Sequence, residues 1–92
     1  MKAPIELIPT LEHCIETTAR QEFTRNKDEY LQRGVENKEL EERIDLLRTF
    51  LDTMDFRELR RESEKHLSEG NKVKFLLYLE EGKLRYEMKV EA

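Results

Sequence analysis

The sequence predicts an α+β fold in which three helices, two long and one shorter, precede a C-terminal antiparallel β-hairpin, in the order α-α-α-β-β. Three observations carry the prediction. Apolar and polar residues alternate through residues 72–91, the period of half-buried strands. Upstream, apolar residues recur at spacings of three and four, the period of a helix face. Between these blocks stand residues suited to starting and stopping helices: Asn37 and Asp55, and the glycines Gly34 and Gly70.

The composition supports a folded chain. Charged residues make up 41 % of the 92 positions, which raises the question of disorder, but Leu, Ile, Val and Phe together supply 24 of them. That fraction is above the ~20 % below which a charged chain stays unfolded. The length suits one core, so residues 1–92 are read as a single domain with an extended arm at 1–9, a helical part at 10–69 and the hairpin at 72–91. A net charge of -4, mixed throughout, marks neither a polyanion binder nor an acidic tail. The chain shows neither the apolar core of a signal peptide nor a run long enough to span a bilayer, so a cytoplasmic protein with no membrane association is expected.

Residues 4–9 carry Ile5, Leu7 and Ile8 between two prolines and read as an extended arm or a short third strand. Thr10 suits an N-cap, with Glu12 in the first turn, and predicts a first helix over residues 11–33. Leu11, Cys14, Ile15, Ala19, Phe23 and Tyr30 follow helical spacing down one side, and Gly34 stops the helix. Cys14 lies on that apolar side and reads as a buried reduced thiol, with no basic neighbour in sequence to activate it.

Asn37 caps a second helix over residues 38–53, with a seam of Leu40, Ile44, Leu47, Leu51 and Met54. Leu46 and Phe50 fall beside the seam and widen the apolar arc to about 160°, enough for a helix that touches two neighbours. The seam reads as intramolecular packing, with a coiled-coil contact as the alternative. Asp55 and Glu58 start a third helix over residues 56–68, with the narrow apolar stripe Phe56, Leu59 and Leu67 and Ser63 between them.

In the hairpin, a turn around Glu81 and Gly82 pairs Leu79 with Leu84, Leu77 with Tyr86, Phe75 with Met88 and Val73 with Val90. The second strand carries charges on its other face. The first carries Leu76 and Tyr78 there, the pattern of a strand inside a sheet. It therefore needs a cover or a partner: the arm, the same strand of a second subunit, or a peptide from another protein.

No catalytic constellation, phosphate loop or cofactor motif stands out. His13 with Glu12 or Glu16, and His66 with Glu62, share helix faces but are too few ligands for a firm metal site, so neither metal nor cofactor is expected. The reading is a small non-catalytic intracellular interaction or regulatory module, expected to be homodimeric or to bind a protein partner. Its candidate interface residues are Leu76, Tyr78, Leu46 and Phe50. The alternative is a nucleic-acid-binding module using the basic stripe Arg57, Arg61 and Lys65 of helix 3 and the hairpin. In element order alone this resembles a winged-helix domain, but acidic Glu80 and Glu81 at the hairpin tip and Glu58, Glu62 and Glu64 among the basic residues weigh against that alternative.

Overall fold

The computed structural model describes residues 4–33 and 37–92. Among them the order is β1 (Ile5–Leu7), α1 (Ile15–Arg33), α2 (Lys38–Thr53), α3 (Phe56–Ser68), β2 (Lys72–Glu80) and β3 (Lys83–Glu91). The α+β class and the hairpin are as expected, but a strand precedes the helices and the sheet has three strands in the order β1-β2-β3. The expected α-α-α-β-β order is corrected accordingly. The cause lies in β2, whose apolar second face suits a central position. The arm pairs with it antiparallel, Ile5 opposite Leu77 and Leu7 opposite Phe75, and buries both arm residues.

The hairpin register follows from side-chain parity. Leu79 opposes Leu84, Leu77 opposes Tyr86, Phe75 opposes Met88 and Val73 opposes Val90. The two-residue turn places Glu81 at φ 54° and Gly82 at φ 76°, the paired left-handed geometry whose twist matches that of the strands it joins.

Helix boundaries follow local chemistry. The Asn37 side chain accepts a hydrogen bond from the Leu40 amide at 3.1 Å, and the Asp55 carboxylate accepts one from the Arg57 amide at 3.1 Å. At the end of α3 the Asn71 amide donates to the His66 carbonyl and the Gly70 amide to the Leu67 carbonyl, each at 3.0 Å. With Gly70 at φ 86° this is a Schellman stop. Gly34, expected to end α1, lies outside the described residues.

The first helix begins later than residue 11. Thr10 caps a separate turn: its hydroxyl accepts from the His13 amide at 3.0 Å, and its own amide donates to the His13 carbonyl at 2.8 Å. Helical bonding starts with the Thr18 amide donating to the Cys14 carbonyl at 2.9 Å, so Cys14 is the residue at the helix entrance. Leu11 is left 63 % exposed, outside the helix.

The helices form one layer over one face of the sheet. The core joins Ile5 and Leu7 of β1, Ile15 and Ala19 of α1, Leu46, Leu47 and Phe50 of α2, Phe56 and Leu59 of α3, and Val73, Phe75 and Leu77 of β2. Phe50 and Phe56 meet edge to face, with ring centres 5.3 Å apart. Helix α2 packs against α1 on one side and the hairpin on the other, which is why its apolar arc is wide.

Candidate protein interface

The helical layer buries the inner face of β2 and covers that of β3 only in part. On the face they share, Val73 and Leu77 are 1 % and 0 % exposed, while the residues opposite them, Val90 and Tyr86, are 38 % and 40 % exposed. Leu79 near the turn is also exposed, and Leu84 and Met88 are half-buried. The Tyr86 ring reaches inward toward Phe50 and Phe75, with centre separations of 6.4 and 6.3 Å, and its outer part meets solvent.

The backbone of β3 is open on the same side. A two-residue turn makes the flanking pair Glu80 and Lys83 a hydrogen-bonded one, and antiparallel pairs alternate from there. Lys83, Arg85, Glu87, Lys89 and Glu91 thus direct their amides and carbonyls at β2. Leu84, Tyr86, Met88 and Val90 direct theirs outward, along an edge to which none of the described strands is paired. The candidate surface is this edge together with its half-exposed apolar row.

The residues singled out from sequence fall in three places. Leu76 and Tyr78 lie half-buried on the face away from the helices, as expected, but among charges: Leu76 stands between Glu6 and Glu87 in the register. The Tyr78 hydroxyl donates to Glu87 Oε1 at 3.3 Å. Loss of solvent and the Glu87 carboxylate push its phenol up from the ordinary value. The adjoining β2 edge is occupied by β1 at Phe75–Leu77, so strand pairing with a second subunit there is overturned.

Leu46 and Phe50 are 3 % and 0 % exposed inside the chain's own core. They are core residues and not an interface, because α2 uses both sides of its apolar arc within the chain. The basic stripe of α3 is exposed, but Arg57 pairs with Asp55 at 3.3 Å and Arg61 with Glu58 at 3.9 Å, and Lys65 sits in the last turn, where the helix dipole favours a cation. The acidic neighbours dilute the positive field that the alternative reading requires.

Sequence reasoning missed a polar cluster between α1 and α2. Asn26, buried on the α1 stripe, donates to the Glu22 carbonyl at 2.7 Å and to Glu22 Oε1 at 3.1 Å. Arg43 of α2 donates to Asn26 Oδ1 at 3.0 Å and to Glu22 Oε1 at 3.1 Å, and Arg25 also pairs with Glu22. Burial opposes the Glu22 charge, but the bonds from Arg25 and Asn26 and the nearby Arg25 and Arg43 outweigh it and hold the carboxyl below its ordinary value. Helix α1 is thus keyed to α2 by mutually satisfied polar groups, with the Tyr30 hydroxyl donating to Glu41 at 2.7 Å further along. The signal available in sequence was an asparagine three residues after Phe23, at an apolar-face position.

Cys14 also differs from expectation. It is half-buried at the entrance of α1, and its sulfur lies 3.3 Å from the Thr17 hydroxyl. Burial raises the thiol pKa, but hydrogen bonds from the Thr17 side chain and the Thr17 and Glu16 amides, with the charge of Arg60, lower it overall. The basic neighbour comes from α3 and is invisible in local sequence. Among the described residues no three of His, Cys, Asp or Glu gather as they would around a metal ion, and no helix is long and apolar enough to cross a membrane.

The sequence model of one protein family matches residues 1–91. No curated protein and no solved structure gives a significant match.

Proposed function

The chain belongs to that family, and we propose that it is a small non-catalytic interaction module that associates with protein, foremost with itself, through the edge of β3. One observation supports the reading: the nine-residue strand Lys83–Glu91 combines outward backbone groups with an apolar row that the helices leave half-exposed. Edges are commonly protected by proline, by bulges or by being short. This one is long and proline-free, and its register with β2 is unbroken from Lys83 to Glu91. Its charges lie on the other face and mix both signs, so they repel a neighbouring strand only in some alignments.

The test is the mass in solution, by light scattering over a hundredfold concentration range. The expected result is a species of twice the 11.1 kDa chain mass. Met88→Pro should convert it to a folded monomer, because the Met88 amide points away from β2 and its loss spares the hairpin. Val90→Asp, which charges the exposed row without touching the backbone, should act in the same direction. A wild-type monomer over the whole range overturns the reading, as does a dimer untouched by both substitutions.

A further inference from the structure

Resting on that reading, the charge pattern of β3 goes further and selects one alignment. We infer that two copies pair antiparallel through β3 about a twofold axis at Met88, forming a continuous six-stranded sheet.

A twofold axis between antiparallel strands stands normal to the sheet and leaves every side chain on its own face. Each β3 residue then opposes one of the same parity, and a single residue sits on the axis facing its own copy. The charges on the face away from the helices are Lys83, Arg85, Glu87, Lys89 and Glu91. With Glu87 on the axis, Glu87 faces itself and Arg85 faces Lys89. With Tyr86 there, Lys83 faces Lys89. Arg85 or Lys89 on the axis each face themselves, and Leu84 on the axis sets Lys83 against Arg85. With Val90 there, Lys89 meets Glu91, but Leu84 and Tyr86 find no strand beside them.

Only with Met88 on the axis does the strand complement itself along its length. Arg85 then faces Glu91 of the second copy and Glu87 faces Lys89, and symmetry repeats both, with no like charges opposed. The same alignment settles the other face. Tyr86 comes beside Val90 of the second copy and Met88 beside Met88, so the residues left 40 % and 38 % exposed cover each other. The amides and carbonyls of Tyr86, Met88 and Val90, all outward, find partners at once.

Disulfide trapping in a Cys14→Ser background tests the alignment. Residues opposite each other in a hydrogen-bonded antiparallel pair stand about 5.5 Å apart at Cα, within disulfide reach. Residues four places out of register stand about 14 Å apart along the strand. Met88→Cys should therefore oxidise to a covalent dimer. Tyr86→Cys and Val90→Cys should each fail alone and cross-link when mixed. A charge exchange gives a second readout: Arg85→Glu should weaken dimerisation about tenfold, and adding Glu91→Arg should recover most of the loss.

Homodimers trapped through Tyr86→Cys or Val90→Cys alone overturn the Met88-centred alignment and leave the β3 edge as the interface. A dimer by light scattering that traps at none of the three positions overturns the alignment and the edge together. A wild-type monomer at the trapping concentration overturns the underlying reading, and β3 is then an edge for a strand of another protein.

Discussion

Leu77 and Tyr86 stand directly opposite each other on one face of the sheet, and Leu77 is 0 % exposed while Tyr86 is 40 % exposed. The boundary of the helical layer runs between them. Substitutions on its two sides should therefore behave differently. Leu77→Ala removes a side chain packed on all sides and should cost about 2–5 kcal/mol. Tyr86→Ala forfeits mainly its ring contacts and should cost about 1 kcal/mol. Urea unfolding at a concentration low enough to keep the chain monomeric measures both.

The cluster between α1 and α2 should make stability depend on acid. Glu22 is held below its ordinary value in the folded chain, so its contribution is present above the unfolded-state value of about 4.3 and is lost as pH falls through the lower folded value. Glu22→Gln should flatten that part of the stability profile. Arg43→Met should cost about 1–3 kcal/mol at neutral pH, because it leaves Asn26 Oδ1 without its donor and takes one of the cations from Glu22.

Cys14 should react as an activated thiol. Its alkylation rate against pH should show a midpoint below that of an ordinary cysteine, and Thr17→Val should move the midpoint up by removing the hydroxyl near the sulfur. A folded pKa below the unfolded one also means that the thiolate adds stability above the unfolded value, which is lost as pH falls through the folded one.

The hairpin turn can be improved. Glu81 holds φ 54°, a region that asparagine enters more easily, and it precedes Gly82 at φ 76°. Glu81→Asn creates the favoured turn pair and should stabilise the chain by about 0.5–1 kcal/mol. Gly82→Ala meets no neighbouring atom within 4 Å but must keep the positive φ, and should cost about 1 kcal/mol. Thermal unfolding of the two variants should shift in opposite directions.

Much of this fold was legible because local chemistry and tertiary packing agree. Side-chain parity determines the Leu79–Leu84 and Val73–Val90 pairings, Asn37 and Asp55 start α2 and α3, and the Schellman glycine Gly70 ends α3. The start of α1 was misplaced because Thr10 has the chemistry of a helix cap and spends it on a turn closed by His13. The arm reads as extended and as one of three candidate partners for β2; which candidate pairs there is a fact of the assembled sheet.

The half-exposed row of β3 was harder to read for a different reason. Val73 and Val90, or Leu77 and Tyr86, show the same alternation in sequence, and only the lateral reach of the helices decides which strand is covered. Leu46 and Phe50 suggested an outer contact because the width of the α2 arc does not say whether its second neighbour is another chain or the chain's own sheet. The hairpin supplies that neighbour.

Amide hydrogen exchange at Tyr86, Met88 and Val90, followed as a function of protein concentration, tests the proposed use of the β3 edge most directly. Their amides face away from β2, and in a lone chain none of the described strands pairs with them. The account predicts slow exchange where the dimer prevails and fast exchange on dilution, while Arg85 and Glu87, bonded to β2, stay protected throughout. Fast exchange at Tyr86, Met88 and Val90 under conditions where the mass is that of a dimer would contradict it.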